Sequence, residues 1–294
     1  MEDKVEVVKP VKQMKASTIG ILLTAPFILY ILTFFILPLF SIISMSTQTI
    51  DDNYMLVPIR GLHNFATAFN SENLPILLRS ALYAACTTCL CVFLGYPLAW
   101  FIARHSGKYK IFMLLMVMLP FWTSYLIRIF AWMTILQSEG ILNQCLITLG
   151  LISQPIDMLN TPFSVILGLT YGFLPFATLP IYNSLDKLDN SILEAAADLG
   201  ATPSTTFFKI ILPMSMPGVT AGSLLTFVPA MGDFVTPDIL GGVDTMMVGN
   251  LIQQQYLAFF NWPLGAALSL IIMSIMLISI LAFLKISNSA ELLA

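Results

Sequence analysis

Charged residues are scarce in this sequence, and their scarcity excludes an ordinary soluble domain. Of the 294 residues, 10% are charged and 57% are hydrophobic, whereas a soluble domain carries about 25% charged residues. So few charges cannot cover a surface that faces water. We therefore expect the chain to fold within a lipid bilayer.

The residues and motifs of common catalytic and metal sites are also missing. The only histidines, His63 and His105, cannot form an HExxH zinc helix, and no Gly-x-Ser-x-Gly nucleophile turn is present. The one Gly-Lys pair, Gly107-Lys108, is followed by Tyr109, whereas a Walker A loop needs Ser or Thr at that position. We expect no catalytic residue, no metal site and no ATP site in this chain.

Cysteine is too rare and too unevenly placed to form a disulfide or zinc framework. Three of the four cysteines fall in one apolar run, and the single CxxC lacks a partner pair. We therefore interpret all four as small packing residues, namely Cys86, Cys89, Cys91 and Cys145.

Long apolar runs are abundant, and six of them are long enough to be membrane spans. A hydrocarbon core about 30 Å thick requires about 20 helical residues. The first run is too long for a signal-peptide core, so we expect it to remain as an anchor. The six predicted spans are 18–44, 80–103, 111–136, 162–185, 217–236 and 263–284. They divide the chain into a tail (1–17), a six-span domain (18–286) with a cytoplasmic loop at 186–216, and a second tail (287–294).

Lysine and arginine are distributed unevenly between the two sides of these spans. Cytoplasmic loops near spans collect positive charge. Arg60 and Arg79 lie on one side, and Arg128 falls inside the third span. The opposite side, which carries both termini, is therefore predicted to be cytoplasmic, with Lys4, Lys9, Lys12, Lys15, Arg104, Lys108, Lys110, Lys187, Lys209 and Lys285.

The cytoplasmic loop at 186–216 carries helix boundary signals of its own. Ser191 with Glu194 three residues later fits a capping box at a helix start. Gly200 is typical of the left-handed residue just past a helix end. The alanines at 195–197 leave one face nearly bare, which would allow close approach of a partner surface, and nearby apolar contacts are offered by Ile192, Leu193 and Leu199.

A second helix is predicted to follow Gly200. Thr202 fits its N-cap, and Pro203 fits its first position. Pro213 is expected to end it, because proline cannot continue a helix. The loop is thus predicted to form a helix, a glycine turn and a second helix.

The spacing within this loop resembles the EAA loop of ATP-binding cassette (ABC) importer permeases. The matching residues are Glu194-Ala195-Ala196, Gly200, Ile210 and Leu212-Pro213. In that family the loop forms a coupling helix that docks in a groove of the ATPase subunit. The resemblance implies this role for Glu194, Ala195, Ala196, Ala197, Asp198, Leu199, Gly200 and Ala201. The alternative is an amphipathic hairpin lying on the membrane surface.

Five further stretches resemble the polyamine (spermidine/putrescine) branch of these permeases, and specifically its first permease subunit. They are GYPLAW from Gly95, LPFWTSYLIRIFAW from Leu119, GFLPFATLPIY from Gly172, VPAMGDFV from Val228 and WPLGAA from Trp262. The resemblance implies an all-α, multi-pass protein of the bacterial inner (plasma) membrane. Its fold would be that of a type I ABC importer permease with six transmembrane helices.

The same resemblance implies a set of partners. These are a second, related permease, a dimer of ATPase subunits that binds ATP and magnesium, and an external polyamine-binding protein. The chain itself would hold no cofactor and bind no nucleic acid. Its implied function is to form, in the lipid bilayer, the pathway for polyamines.

A pathway for these multivalent cations should offer aromatic faces, whose ring quadrupoles attract cations. Trp122, Tyr125, Ile129 and Trp132 recur at intervals of three, four and three residues, which predicts one helical face. Tyr171 in the fourth span joins these candidates. The alternative is that the aromatic residues anchor the helices at the membrane interface.

Two charged residues, Arg128 and Asp233, are predicted to lie within or near the spans. A charge buried in a membrane needs a partner or water. Asp233 lies 16 residues beyond Pro217 and Arg128 lies 17 residues beyond Ile111, or about 24 Å and about 26 Å along straight helices. Both should reach similar depths. Three roles stay open for Asp233, which are contact with the passing cation, an ion pair with Arg128, and simple exposure to water.

Small residues and prolines add packing expectations. GxxxG patterns at 168–172 and 218–222 predict close helix packing. Kinks are expected at Pro120, Pro175 and Pro180.

Three other functions compete with the polyamine importer subunit. An ABC importer permease for another solute would share the whole fold. A secondary transporter would need inverted repeats, and no convincing repeat relates the two halves. A membrane enzyme would need clustered catalytic groups, which the sequence lacks.

Overall fold

The computed structural model describes residues 16–51, 55–57 and 61–291. The two predicted tail boundaries stay predictions, because these ranges include only residues 16–17 of the first tail and 287–291 of the second. The same holds for five of the predicted positive charges, namely Lys4, Lys9, Lys12, Lys15 and Arg60.

Helices dominate the described chain. In the first half they are α1 (Ala16–Ile31), α2 (Leu37–Ser46), α3 (His63–Ala68), α4 (Asn73–His105), α5 (Lys110–Met118), α6 (Tyr125–Leu136) and α7 (Ile141–Thr148). In the second half they are α8 (Pro162–Asp186), α9 (Asn190–Asp198), α10 (Pro203–Thr206), α11 (Leu212–Gly232), α12 (Val235–Leu240), α13 (Val248–Leu257) and α14 (Trp262–Glu291). Two short strands, β1 (Thr49–Ile50) and β2 (Leu56–Val57), pair antiparallel.

The six-span prediction is confirmed when one bent pair of helices counts as a single span. Within the described ranges, five continuous segments are long and apolar enough to cross a bilayer, namely Thr24–Ser46, Asn73–His105, Pro162–Asp186, Pro203–Gly232 and Trp262–Lys285. The remaining span is the pair Gly107–Trp122 and Tyr125–Thr148, which meet at 89°.

The continuous third span predicted from the sequence is wrong. After a 3-10 turn at Leu119–Trp122, Thr123 is extended, with φ −101° and ψ 151°. The Thr123 side chain donates to the Pro120 carbonyl at 2.8 Å, and a proline lacks the N–H that a helix needs. The predicted kink at Pro120 is therefore a break, and Trp122 lies on a different segment from Tyr125.

The predicted start of the fifth span is also wrong, because the helix runs through Pro213. A π-helical turn covers Phe207–Ile211, and the Leu212 N–H donates to the Phe207 carbonyl. In this turn the N–H bonds to the carbonyl five residues earlier instead of four. The change in hydrogen-bond pairing falls just before Pro213, which has no N–H to contribute. The span therefore runs over Pro203–Gly232.

The centre of the fold is formed by α4, α8 and α11. Ile102, Leu185 and Ile211 belong to one buried apolar cluster between these helices and the adjoining turns. The Tyr96 and Ser215 hydroxyls share a hydrogen bond at 2.8 Å. Cys91 is fully buried in this cluster, as expected for a packing residue. The helix α8 continues through Pro175 and Pro180, so these prolines do not end it.

The two GxxxG patterns pack against different neighbours. A Cβ on Gly218 would lie 2.5 Å from the Pro180 carbonyl oxygen, so this pattern lets α11 approach the α8 backbone. A Cβ on Gly172 would lie 3.0 Å from Tyr125 Cε2. The pattern at 168–172 therefore makes room for side chains rather than for a second backbone.

Replacing Gly222 with leucine is expected to lower the free energy of unfolding by about 3 kcal/mol, because overpacking forces the backbones of α8 and α11 apart. A Cβ on Gly222 would lie 2.8 Å from the Ala177 carbonyl oxygen, and this backbone atom cannot move aside. Thermal unfolding of the purified protein measures the effect. Gly232→Ala is the control, since its Cβ would meet only the flexible end of Met276 at 3.3 Å. Equal stability of Gly222→Leu and the wild type would contradict the close approach.

Candidate functional site

The predicted coupling helix exists as α9, but its N-cap differs from the prediction. The Asp189 carboxylate accepts the Ser191 N–H at 3.0 Å, so the predicted capping box of Ser191 and Glu194 is wrong. Asp189 precedes Ser191 by two residues and starts the helix earlier. The Ser191 hydrogen bonds hold the pKa of Asp189 below its ordinary value, and a carboxylate is favoured at a helix N-terminus.

The C-terminal signal of α9 is confirmed. Gly200 has a φ of +76°, the left-handed conformation that glycine adopts without strain. Its N–H donates to the Ala197 carbonyl at 2.9 Å, and the Ala201 N–H donates to the Ala196 carbonyl at 3.0 Å. These two bonds form a Schellman motif. Beyond it, Thr202 caps α10 through the Thr205 N–H, as predicted.

The surface that α9 presents to solvent is narrower than the predicted alanine face. Ala196 is buried against the rest of the chain, whereas Ala195 and Ala197 are exposed. Leu199 is 89% exposed at the end of the helix, although leucine normally gains from burial. This solvent-facing surface, with the exposed Glu194 and Asp198, is the part of the loop that a partner could reach.

The turn between α8 and α9 is held by two cations whose positions in the sequence indicated only the orientation of the spans. Arg104, at the end of α4, donates to the Asn190 side chain at 2.5 Å and to the Leu188 carbonyl at 2.9 Å. Lys110, at the start of α5, forms an ion pair with Asp186 at 2.5 Å. No local pattern links these residues, which are brought together by the packing of α4, α5 and α8.

A second group of polar side chains meets where the third span is broken. Asp233 follows the last residue of α11 and is extended. Its carboxylate accepts the Tyr125 hydroxyl at 2.7 Å and the Val235 N–H at 2.9 Å, and it also accepts the Thr236 hydroxyl. The Tyr125 and Thr236 hydroxyls lie 2.6 Å apart. Among the described residues, the donors to Asp233 are therefore all uncharged groups.

Arg128 faces aromatic rings instead of Asp233. Its guanidinium carbon lies 5.5 Å from the Phe121 ring centroid, 5.4 Å from that of Tyr125 and 6.0 Å from that of Tyr171. Nε and Nη1 are buried and have no hydrogen-bond partner among the described residues. Cation–π attraction offsets part of the cost of this burial.

The hypothesis of an ion pair between Arg128 and Asp233 is not supported by this geometry. Both residues lie in the described part of the chain, and no Arg128 nitrogen lies within 4.0 Å of an Asp233 oxygen. Tyr125 contacts both, its hydroxyl meeting the carboxylate and its ring meeting the guanidinium. The depths expected from straight helices do not apply, because the third span bends and Asp233 lies beyond the end of α11.

Four of the five pathway candidates form one group around Arg128. The Trp132 and Tyr171 rings pack edge to face at 5.5 Å, and Tyr171 and Tyr125 both flank the guanidinium. Tyr125 connects this aromatic group to Asp233. Trp122 is separate, on the far side of the break and 79% exposed. The single helical face predicted for Trp122, Tyr125, Ile129 and Trp132 is therefore wrong for Trp122.

Comparison with protein families identifies the chain as a transport component. Residues 95–289 match the family described as the inner membrane component of binding-protein-dependent transport systems. The chain belongs to this family. It is thus an inner membrane permease subunit of an ABC transporter, and the resemblance found in the EAA loop is confirmed.

Relatives of this permease include named polyamine transport proteins. The spermidine/putrescine permease protein PotB of Escherichia coli K12 is 40% identical over 259 residues, which are 88% of this chain and 94% of that protein. PotB of Haemophilus influenzae is 41% identical over 242 residues, covering 82% and 84%. The inner membrane ABC transporter permease protein YdcU of E. coli K12 is 38% identical over 251 residues, covering 81% and 79%.

Solved structures support the fold. A bacterial ABC transporter that imports alginate matches with a TM-score of 0.75 at 17% identity, covering 93% of this permease and 96% of that chain. The MetNI methionine ABC transporter matches with a TM-score of 0.53 at 16% identity, covering 75% and 99%. The type I importer fold implied by the sequence motifs is therefore confirmed.

Proposed function

We propose that this permease forms, with a second related permease, a pathway that carries polyamines across the inner membrane. The observation that carries the substrate assignment is the 40% identity to a spermidine/putrescine permease over 88% of the chain. Similarity of this extent covers both the coupling loop and the group of residues around Asp233.

The chemistry around Asp233 supports a cationic substrate. A polyamine presents several ammonium groups along a flexible apolar chain. Asp233 offers a carboxylate held in place by uncharged donors, and Tyr125 connects it to the aromatic group that contains Tyr171 and Trp132. Carboxylates attract ammonium groups by charge, and aromatic faces attract them through the ring quadrupole. We propose that Asp233, Tyr125, Tyr171 and Trp132 contact the passing substrate.

The energy source in this proposal is a separate pair of ATPase subunits, which bind ATP and magnesium. The exposed surface of α9, with Glu194, Ala195 and Leu199, docks on one of them. An external binding protein supplies the polyamine. The solved structure of a bacterial alginate ABC transporter in complex with an alginate pentasaccharide-bound periplasmic protein supports an assembly of this kind.

Uptake of radiolabelled spermidine and putrescine by cells that lack this permease, and by the same cells after its return, tests the substrate. We expect the returned permease to restore uptake of at least one of them. Failure to restore either would reject the polyamine assignment and leave the family membership intact. A Glu194→Lys permease is expected to insert normally and to restore little uptake, because the substitution reverses a charge on the docking surface.

A substrate that carries a carboxylate as well as an amine is the alternative with a structural observation in its favour. Two buried nitrogens of Arg128 have no hydrogen-bond partner among the described residues, and such groups can bind a carboxylate. Competition of unlabelled amino acids with spermidine uptake separates the two. Polyamines alone should compete if the proposed function is correct.

A further inference from the structure

The turn between the fourth span and α9 is gripped from both sides by the connection between the second and third spans. Only residues 187–189 separate α8 from α9. Arg104 bonds to Leu188 within this turn and to Asn190, the first residue of α9. Lys110 pairs with Asp186 at the end of α8. The cytoplasmic end of α4 is therefore tied to the base of α9, and the start of α5 is tied to the end of α8.

Arg104 has a geometry that suits a rigid connection. Two different nitrogens of one planar guanidinium reach two separate acceptors, at 2.5 Å and 2.9 Å. The same group lies 5.6 Å from the Trp100 ring centroid, one turn earlier in α4. A guanidinium that is stacked and doubly bonded has little freedom to rotate. A lysine at this position could not reproduce the planar fork.

The contribution of these groups to simple stability is small. The Lys110 and Asp186 side chains are 33% and 36% exposed, and ion pairs with such access to water stabilise a fold very little. The main effect of these contacts is to fix the position of the turn between α8 and α9. Without the two ties, a three-residue turn could absorb any displacement of α9 by changing its own backbone angles.

We propose that Arg104 is a positioning residue that transmits movement of α9 to the second span. The inference rests on the proposed function, because the ATPase supplies the movement. When the docked ATPase displaces α9, the two hydrogen bonds pull on the end of α4. Since α4 packs along α8 and α11 in the central cluster, the displacement reaches the helices that surround the pathway. The Lys110–Asp186 pair fixes the α8 side of the turn to α5.

The ratio of spermidine taken up to ATP hydrolysed, measured with the assembled importer in proteoliposomes, tests this role. Arg104→Ala is expected to lower the ratio about tenfold, as expected for the loss of charge-assisted hydrogen bonds. The ratio of Arg104→Lys should lie between those of the wild type and Arg104→Ala, because an ammonium group can donate well to only one of the two acceptors. Asn190→Ala removes a single hydrogen bond at an exposed position and should lower the ratio about threefold. The double variant Arg104→Ala/Asn190→Ala should match Arg104→Ala alone, since both act through one contact.

Lys108→Ala is the matched control, because Lys108 is an exposed cation of the same connection whose ammonium group lies over the Tyr109 ring, 5.2 Å from its centroid. It should retain the wild-type ratio. A wild-type ratio in Asn190→Ala together with Arg104→Lys would overturn the proposal, even if Arg104→Ala failed to assemble. Gly200→Val separates a failure of ATPase docking through α9 from a failure of the Arg104 connection. If Gly200→Val also kept the wild-type ratio of uptake to ATP hydrolysis, docking through α9 would be rejected. A lowered ratio in Gly200→Val together with wild-type ratios in the Arg104 variants would reject only the proposed role of Arg104.

Discussion

Replacing Gly200 with valine is expected to reduce uptake by the assembled importer about 30-fold, which corresponds to about 2 kcal/mol of backbone strain. Gly200 has a φ of +76°, and a β-branched residue is strained in this region. To relieve the strain, the turn must abandon the hydrogen bonds from Gly200 and Ala201 that end α9. The docking surface would then lose its fixed orientation.

The expected loss of uptake in Gly200→Val comes from the backbone conformation, so variants that differ in how well they tolerate the left-handed region can isolate it. A Cβ on Gly200 would meet no atom within 4 Å beyond its chain neighbours among the described residues, so the expected strain comes from the local backbone conformation. Gly200→Asn should therefore retain most of the uptake, because asparagine tolerates the left-handed region, and Gly200→Ala should be intermediate. The amount of permease in the membrane should be unchanged in all three. Normal spermidine-stimulated ATP hydrolysis in the valine variant would show that this turn does not couple the permease to the ATPase.

Asp233→Asn is expected to raise the spermidine concentration for half-maximal uptake about 30-fold, since a charge-assisted contact contributes about 2 kcal/mol. The amide keeps the shape of the carboxylate, and its single oxygen can still accept the Val235 N–H, while its NH2 group takes the place of the oxygen that faces the Tyr125 hydroxyl. The substitution therefore removes the negative charge that attracts the ammonium group and one acceptor oxygen, that of the Tyr125 and Thr236 hydroxyls. Uptake measured over a range of spermidine concentrations, and normalised to permease in the membrane, gives the value.

Thr236→Val is the control for a purely structural role of this group. It removes one donor to Asp233 and leaves the carboxylate and its charge in place. We expect a smaller change in half-saturating concentration than in Asp233→Asn. If Asp233→Asn instead lowered the amount of permease while transport per molecule stayed constant, the carboxylate would hold the helices together and would not meet the substrate.

Local signals predicted the coupling loop well. The left-handed Gly200 and the cap at Thr202 depend only on backbone conformations of a few neighbouring residues, so a sequence pattern is enough to reveal them. The N-cap of α9 was assigned wrongly because Asp189 and Ser191 are both strong caps. Their competition is decided by where the preceding helix α8 ends and how Arg104 holds the turn.

The group around Asp233 could be predicted only in part. The residue types indicated a functional group of side chains, since a carboxylate, an arginine and several aromatic residues lie in or near the predicted spans. Their arrangement was not accessible, because the break at Thr123 turns the chain by 89° between the two helical segments. A straight helix would have placed Trp122 beside Tyr125, and the bend separates them.

By itself, the amino-acid sequence determined the membrane class, the approximate number of spans and the helix-turn-helix of the coupling loop. These features depend on hydrophobic length, on the spacing of a few residues and on backbone preferences, which act within short segments. The tertiary structure alone decided that Tyr125 separates Arg128 from Asp233 and that Arg104 grips the base of α9. Such contacts join residues that are 84 to 108 positions apart, and they exist only because the packing of the helices places these side chains within hydrogen-bonding distance.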